Sequence, residues 1–294
     1  MRVATVAGRA TVLTEANSLD VHHASGGRFP ADPAGLFEQW AEFVAWAPAV
    51  DPSDFGPPVD SRALGAPSPA PRQIFAVGLN YRDHVAETGQ TPPAAPSIFT
   101  KFVTSLTGPS AQLVLPSDSV DWEVELVAII GRVAKDVTEA EAWNYVAGLT
   151  VGQDYSERVV QMAGSPPQFS LGKSYPGFSP TGPWLVTPDE FADPDDLALG
   201  CTVNGKTMQK SRTSQLLFSV RQLIAYLSSI THLLPGDVIF TGTPAGVGMA
   251  RTPKIYLRPG DEVVSTIEGI GSLHQRAVEA TSQKGKRDRE QRAC

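Results

Sequence analysis

The most informative part of the chain is Val120-Asp121-Trp122-Glu123-Val124-Glu125-Leu126-Val127-Ala128-Ile129-Ile130-Gly131. Its apolar, β-branched composition predicts a strand over residues 122–130. Side chains two apart on a strand share a face, so Glu123 and Glu125 point the same way, roughly 6–7 Å apart at Cα. Two buried carboxylates need a positive partner, and an oxygen-preferring divalent cation is the simplest one. The alternative is that Glu123 and Glu125 lie on the solvent-exposed face of an edge strand.

Composition narrows the class of protein. The chain has 294 residues, 41% of them hydrophobic and 19% charged, as in globular proteins. The net charge of −7 argues against a nucleic-acid-binding surface. Two cysteines cannot form a disulfide framework. No apolar run reaches 18 residues and the N-terminus lacks a signal-peptide core, so a cytoplasmic protein is predicted.

Three segments are expected along the chain. Residues 1–70 form a small N-terminal domain with a Pro-rich linker, including an amphipathic helix over 34–46. Residues 71–281 form the main domain. Residues 282–294 read as a disordered basic tail.

The main domain reads as strand-rich α+β. The capping box at Thr138 predicts a helix to about Tyr145, and an apolar stripe from Leu216 to Ile230 predicts a second. Strands are predicted at 74–78, 97–102, 122–130, 146–153, 183–186, 198–203, 237–241 and 262–268.

Two further charged residues are candidates for a site. Asp154 follows a predicted strand, where sites are commonly built, although Asp at this point could instead cap a helix from Ser156 to Met162. Lys173 begins a Gly- and Pro-rich loop and could neutralise an enolate or a carboxylate. The alternative for Lys173 is a solvated side chain.

Two more segments carry candidate chemistry. His84 and Glu87 are three residues apart and would meet on a helix, which suits a general base, although both could be surface residues. The loop around Thr243 offers N–H groups and hydroxyls to an anion, or serves only as a turn. It lacks the phosphate-loop pattern.

The order of these motifs resembles the fumarylacetoacetate hydrolase family over roughly residues 72–276. The motifs are Asn-Tyr-x-x-His, Glu-x-Glu, Gln-Asp-Tyr-Ser-x-Arg, Lys-Ser-Tyr-x-Gly-Phe and Gly-Thr-Pro-x-Gly-Val-Gly. The resemblance implies a mixed β-sandwich or β-roll domain with flanking helices beside a small N-terminal α+β domain, and a homodimer. One departure is Arg158-Val159, where members often have Arg-Asp.

The resemblance also implies roles for particular residues. Mg²⁺ or Mn²⁺ would be held by three carboxylates, while a lid helix and a lysine would carry the chemistry. The metal ligands would be Glu123, Glu125 and Asp154; the catalytic residues His84, Glu87 and Lys173; and the substrate-binding residues Tyr81, Arg82, Gln209 and Thr243.

The implied reaction is hydrolysis of a C–C bond in an acylpyruvate-like 2,4-dioxo acid, as in aromatic catabolism. The metal and Lys173 would stabilise the enolate that leaves, and His84 would activate water. The same site could instead isomerise an unsaturated 2-oxo diacid, such as 2-hydroxyhepta-2,4-dienedioate, or tautomerise or decarboxylate oxaloacetate. A non-catalytic binding protein is the third alternative. The partners expected are a small-molecule acid and a second copy of the chain, with no nucleic acid or membrane.

Overall fold

The computed structural model describes residues 1–280, and the predicted basic tail at 282–294 lies outside the described residues. Strands dominate the architecture, as predicted. The strands are β1 (Arg2–Val6), β2 (Arg9–Leu13), β3 (Ser18–Asp20), β4 (Leu64–Gly65), β5 (Ile74–Gly78), β6 (Ser97–Thr100), β7 (Leu106–Thr107), β8 (Gln112–Leu115), β9 (Val120–Asp121), β10 (Val124–Ile130), β11 (Val146–Gln153), β12 (Ser156–Glu157), β13 (Ser179–Val186), β14 (Ala198–Val203), β15 (Lys206–Arg212), β16 (Val238–Phe240), β17 (Glu262–Ile267) and β18 (Gly271–Glu279).

The helices are short and lie between strands. The α-helices are α1 (Val21–Ala24), α2 (Pro33–Glu38), α3 (Trp40–Trp46), α4 (Arg82–Thr88), α5 (Arg158–Gln161) and α6 (Val220–Ser228). Single 3₁₀ turns occupy Ala47–Ala49, Pro52–Asp54, Ser61–Ala63, Val103–Ser105, Ala142–Tyr145, Pro188–Glu190 and Thr213–Gln215.

Two large sheets form the body of the protein. The larger runs β3-β2-β1-β13-β11-β10-β16-β5-β6, with β4 on β1 and β7 on β13. The smaller runs β15-β14-β17-β18-β8, and β9 pairs with β12 separately. β11 and β13 lie against β17 and β18, which buries an apolar core between the sheets. Parallel pairs occur beside antiparallel ones, so the predicted strand-rich, mixed α+β fold is confirmed.

β10 and β11 are the central strands of the larger sheet. Every residue of both strands is buried, because elements cover both faces of the sheet there. The two strands are antiparallel, and Val124 lies opposite Gln153. This register positions the ends of both strands side by side at one edge of the sheet.

The N-terminal segment joins the larger sheet directly. β1 pairs with β13 through Arg2 opposite Val186. Aromatic residues of α2 and α3 share an apolar cluster with Val127 and Phe240 of the main sheet. Neither the sheet nor this cluster breaks near residue 70, and the division into domains 1–70 and 71–281 stays a prediction.

Several predicted helices have other bounds. The single helix expected over 34–46 is wrong, since α2 and α3 meet at Gln39, whose φ of −117° and ψ of 22° are not helical. The helix expected from Thr138 is also wrong: the Thr138 hydroxyl donates to Glu141 Oε2 at 2.6 Å, and a 3₁₀ turn follows over Ala142–Tyr145.

Two other helices start later than predicted. The segment from Ser156 first forms β12, and α5 begins at Arg158. The apolar stripe begins as a helix at Val220, where Ser219 and Gln222 form a capping box. Within residues 1–280, no helix combines the length and apolar character needed to cross a membrane.

Candidate active site

The register of β10 and β11 brings together acids that are distant in sequence. Glu123 comes just before β10, and Asp154 comes just after β11. Because Val124 lies opposite Gln153, the next residues outward are also neighbours, and the Asp154 N–H donates to the Glu123 carbonyl at 2.9 Å. Glu125 completes the group from inside β10.

The three carboxylates converge and are buried. One ligand oxygen from each of Glu123, Glu125 and Asp154 lies within 4.8 Å of the others. The three residues are 6%, 1% and 0% exposed, so the edge-strand alternative for the two glutamates is wrong. Asp154 does not cap α5 either, since the Glu157 side chain accepts from Val160 N–H in that role. Converging buried carboxylate oxygens fit a hard divalent cation.

Lys173 lies between two of these acids. Its Nζ donates to Glu123 Oε2 and to Asp154 Oδ2, each at 2.6 Å. Burial alone would lower the pKa of Lys173, but the Asp154 and Glu123 carboxylates raise it above its usual value. The ammonium is therefore retained in a site with little water, and the solvated alternative for Lys173 is wrong.

The pKa values of Glu123 and Glu125 are shifted in opposite directions. Burial opposes ionisation of Glu123, yet the Lys173 and Arg158 charges lower its pKa to about 2. Burial first, and then the Asp154 and Glu123 charges, raise the pKa of Glu125 well above its usual value. Its Oε2 accepts a single backbone hydrogen bond, from Gly242 at 2.7 Å. Glu125 is thus the member of the triad that most needs a further cation.

A second buried lysine also belongs to the site and was missed in the sequence. Lys101 follows β6, and its Nζ contacts Asp154 Oδ1 and the carbonyl oxygen of Lys173. Burial lowers the pKa of Lys101. The sequence signal was its position at the end of the predicted strand 97–102, but nothing local connects it to Asp154.

Arg158 and Gln161 were likewise not assigned to the site. Arg158 binds Asp121 and, through NH1, Glu123 Oε1 at 2.8 Å. The same guanidinium donates to Gln161 Oε1 at 2.8 Å and so orients that amide. Gln161 is 4% exposed, and within residues 1–280 its Nε2 donates to no protein group. The sequence signal for both residues was the spacing of Arg158 and Gln161, which lie three residues apart on one helical turn.

The predicted pair of His84 and Glu87 forms on α4. His84 Nδ1 lies 3.0 Å from Glu87 Oε2, and Glu87 Oε1 accepts from the Gly246 N–H at 2.9 Å. A carboxylate acceptor fixes the proton on Nδ1, which leaves Nε2 as the basic nitrogen. α4 ends at Gly89 in the left-handed region, φ 66°.

The predicted substrate-binding residues take different positions. The Thr243 hydroxyl donates to the Val124 carbonyl at 2.9 Å and accepts from Gln209, so its backbone N–H is the donor left for a ligand. The Gln209 amide nitrogen donates to the Thr243 hydroxyl and to the Pro244 carbonyl, and its oxygen accepts from the Val124 N–H. Arg82 is exposed and donates to the carbonyls of Ser214 and Leu216. Tyr81 is fully buried, and its hydroxyl has no partner among the described residues.

A small cavity of about 100 Å³ joins the acids, Lys173, His84 and Thr243. Tyr81, Arg82, Glu87 and Gln209 are not among its lining residues. The catalytic role of Glu87 and the substrate-binding roles of the other three stay predictions. The lining residues are Val77, Gly78, Leu79, His84, Thr88, Gln90, Phe99, Glu123, Glu125, Asp154, Arg158, Gln161, Met162, Phe169, Lys173, Thr243 and Met249.

The motifs around this cavity match a known family over most of the chain. The model of the fumarylacetoacetate (FAA) hydrolase C-terminal domain matches residues 73–278. The chain belongs to the fumarylacetoacetate hydrolase family. The resemblance inferred from the sequence is therefore confirmed.

Relatives within the fumarylacetoacetate hydrolase family differ in reaction. A mitochondrial oxaloacetate tautomerase of Bos taurus is 44% identical over 215 residues, which cover 72% of this chain and 68% of the relative. A crystal structure of an HpcE protein from Mycobacterium smegmatis has 53% identity and a TM-score of 0.91, covering 96% of this chain and all of that one.

A third relative was solved with a metal ion and a small acid. Maleylpyruvate hydrolase from Sphingobium was solved with manganese(II) and pyruvate, at 26% identity and a TM-score of 0.75, over 96% of this chain and 100% of that one. Family membership supports an enzyme that binds a divalent cation and a small acid. The homodimer, the cytoplasmic location and a role in aromatic catabolism stay predictions.

Proposed function

We propose that this chain interconverts the keto and enol forms of a small 2-oxo diacid, with oxaloacetate as the preferred candidate, at a divalent-cation site. The observation that carries the proposal is the buried triad of Glu123, Glu125 and Asp154 in one small cavity with Lys173 and His84. Similarity to the bovine oxaloacetate tautomerase supports this reaction over the hydrolysis predicted from the sequence.

Mg²⁺ and Mn²⁺ are the proposed cations, since carboxylate oxygens suit both. Glu123, Glu125 and Asp154 would hold the ion. When bound, it supplies a Lewis acid that favours enolate charge on a 2-oxo acid, an effect worth several kcal/mol.

Lys173 contributes the fixed positive charge of the site. Its ammonium is buried and is held by Glu123 and Asp154, so it does not reorganise when negative charge develops on the substrate oxygen. Charges that are already oriented in a water-poor site are the main source of transition-state stabilisation in such reactions.

His84 is the proposed carrier of the proton. Its Nε2 takes a proton from C3 of the keto acid while the C3–H electron pair forms the C2–C3 double bond and the C2=O π pair moves to the oxygen. The proton is then delivered from Nε2 to that oxygen, which gives the enol. The Glu87 carboxylate at 3.0 Å stabilises the imidazolium between these two steps. No oxidant, reductant or water is consumed, as an isomerisation requires.

The substrate carboxylates need donors, and the cavity offers two. Gln161 and Thr243 line the cavity, and among the described residues the Gln161 Nε2 and the backbone N–H of Thr243 donate to no acceptor. We propose that these groups bind carboxylate oxygens. The Thr243 hydroxyl, already occupied by Val124 and Gln209, instead fixes the loop.

Hydrolysis of a 2,4-dioxo acid is the second candidate. The observation that favours it is the same basic Nε2 of His84, which could remove a proton from water as readily as from carbon. The proposal is tested by following oxaloacetate enol absorbance, pyruvate release and acylpyruvate consumption with the same enzyme, with Mg²⁺, with Mn²⁺ and after chelation.

Cation-dependent acceleration of enol interconversion supports the tautomerase. Acylpyruvate cleavage at a higher kcat/KM than oxaloacetate conversion would replace it with the hydrolase. Equal tautomerisation rates with and without enzyme would reject the tautomerase.

A further inference from the structure

Leu79 lines the cavity with an unusual backbone conformation. Its φ of 54° lies in the left-handed region, which large apolar residues rarely adopt. The other non-glycine residues with positive φ within residues 1–280 are Ala7, Asp136 and Asn204. Two of these are short polar residues that tolerate this region and one is small, whereas Leu79 is bulky and branched.

The surrounding structure fixes this conformation from both sides. Gly78 ends β5 and pairs with Ser97 of β6. On the other side, Asn80 is fully buried, and its side chain donates to the carbonyls of Phe218 and Thr241. With both neighbours held, the backbone at position 79 has no freedom to relax.

A glycine would satisfy this turn without strain, so the turn alone does not explain a leucine. What the leucine adds is a side chain at the cavity. The lining of the same cavity contains Phe99 and Phe169, whose rings meet edge to face at 5.7 Å. Phe169 also lies 3.6 Å from the point where a Cβ on Gly78 would be. A strained residue at such a position indicates a function.

We propose that Leu79 is a specificity-determining residue that closes the apolar end of the cavity and restricts the site to 2-oxo acids with short chains. This inference rests on the proposed function, because that function makes the carboxylate triad the end at which the 2-oxo acid group binds. The cavity of about 100 Å³ is small, as such a restriction requires.

Three variants separate the strain from the volume. Leu79→Asn relieves the strain and keeps the number and branching of the side-chain heavy atoms, with a polar end in place of the two methyl groups. Leu79→Ala keeps the strain and removes most of the side chain from the cavity wall. Leu79→Gly relieves the strain and removes the side chain. Leu171→Ala, at a leucine that is 65% exposed and outside the cavity lining, is the control.

The measurement is calorimetric binding of straight-chain 2-oxo acids from pyruvate to 2-oxohexanoate to the Mg²⁺-loaded proteins, together with melting temperatures. We expect affinity in the wild type to fall with chain length. In Leu79→Ala and Leu79→Gly the affinity ratio of the longest to the shortest acid should rise about 10- to 200-fold, the range for methylene-sized changes in an apolar pocket.

Leu79→Asn should keep the wild-type ratio and melt at the same temperature or higher. An unchanged ratio in both Leu79→Ala and Leu79→Gly overturns the inference, and so does a wild type without length preference. If one of these two variants fails to fold, the variant that folds carries the test.

The outcomes also separate this inference from the proposed function. Length-selective binding by a wild type that does not tautomerise oxaloacetate rejects the function and leaves the role of Leu79 standing. Tautomerase activity in a wild type without length selection supports the proposed function and rejects the role of Leu79. A wild type that binds none of the acids and does not tautomerise oxaloacetate rejects both.

Discussion

The buried ammonium of Lys101 contacts Oδ1 of Asp154, the oxygen that Lys173 does not bind. The two lysines therefore hold both oxygens of the third acid of the triad. Lys101 also contacts the carbonyl of Lys173, so one side chain links β6 to the acid and to the loop that carries the catalytic candidate.

Removal of this charge should destabilise the protein strongly. Lys101→Met keeps the length of the side chain but leaves the Asp154 carboxylate with one fewer buried partner, and breaking such a pair costs about 3–5 kcal/mol. Urea denaturation of the metal-free protein measures the change. Lys206→Met, at an exposed position of β15, should stay within about 0.5 kcal/mol of wild type. A loss below about 1 kcal/mol for Lys101→Met would contradict the structural role.

The carboxylate triad predicts one divalent cation per chain. Glu125→Gln and Asp154→Asn each remove a charged oxygen donor, so Mn²⁺ affinity should fall by more than the about 10–100-fold that loss of an outer partner costs. Titration followed by electron paramagnetic resonance measures the bound Mn²⁺. Glu139→Gln, an exposed acid on a turn, is the control and should bind Mn²⁺ as the wild type does. Wild-type affinity in both triad variants would place the cation elsewhere.

Much of this site could be predicted because the residues that would carry its chemistry lie in short sequence motifs. Glu-x-Glu in an apolar run, Asp154 after the next strand and His84 three residues before Glu87 each have a local physical meaning. Residues such as Lys101 and Gln161 could not be placed in the same way. Lys101 contacts Asp154 and the carbonyl of Lys173, both distant in sequence, and Gln161 reaches the acids only through Arg158, which binds Glu123. These contacts arise from the tertiary fold and have no local signal.

The fold shows the same limit. β10 and β11 are mostly apolar and were predicted closely, whereas β15, with the sequence Lys-Thr-Met-Gln-Lys-Ser-Arg, was missed because its residues are mostly polar. β15 is held by pairing with β14, a long-range interaction that has no local signal. The continuous helix expected over 34–46 failed because apolar periodicity persists across the non-helical Gln39.

The loop that orients Glu87 depends on the absence of a side chain at Gly246. Gly246 has φ 107°, and a Cβ there would lie 2.0 Å from the Met208 carbonyl oxygen. Gly246→Ala should therefore displace its N–H from Glu87, lower the melting temperature and reduce activity. Gly205→Ala has a similar positive φ of 76° but open space around the Cβ, so it should cost only the backbone strain. Equal melting temperatures and activities for the two variants would show that the contact with Met208 yields without effect.

His84 separates reactions that need a base from one that does not. His84→Ala removes Nε2, so oxaloacetate tautomerisation, and any acylpyruvate cleavage, should fall about 10²–10⁴-fold in kcat. Loss of CO₂ from oxaloacetate leaves an enolate without prior removal of a C3 proton, so any decarboxylation should be spared. The three rates are measured on one Mg²⁺-loaded preparation, with the exposed His274→Ala as the control. Equal loss of all three reactions would assign His84 to enolate stabilisation or to folding of α4, and Mn²⁺ affinity together with the melting temperature of the variant would distinguish these two roles.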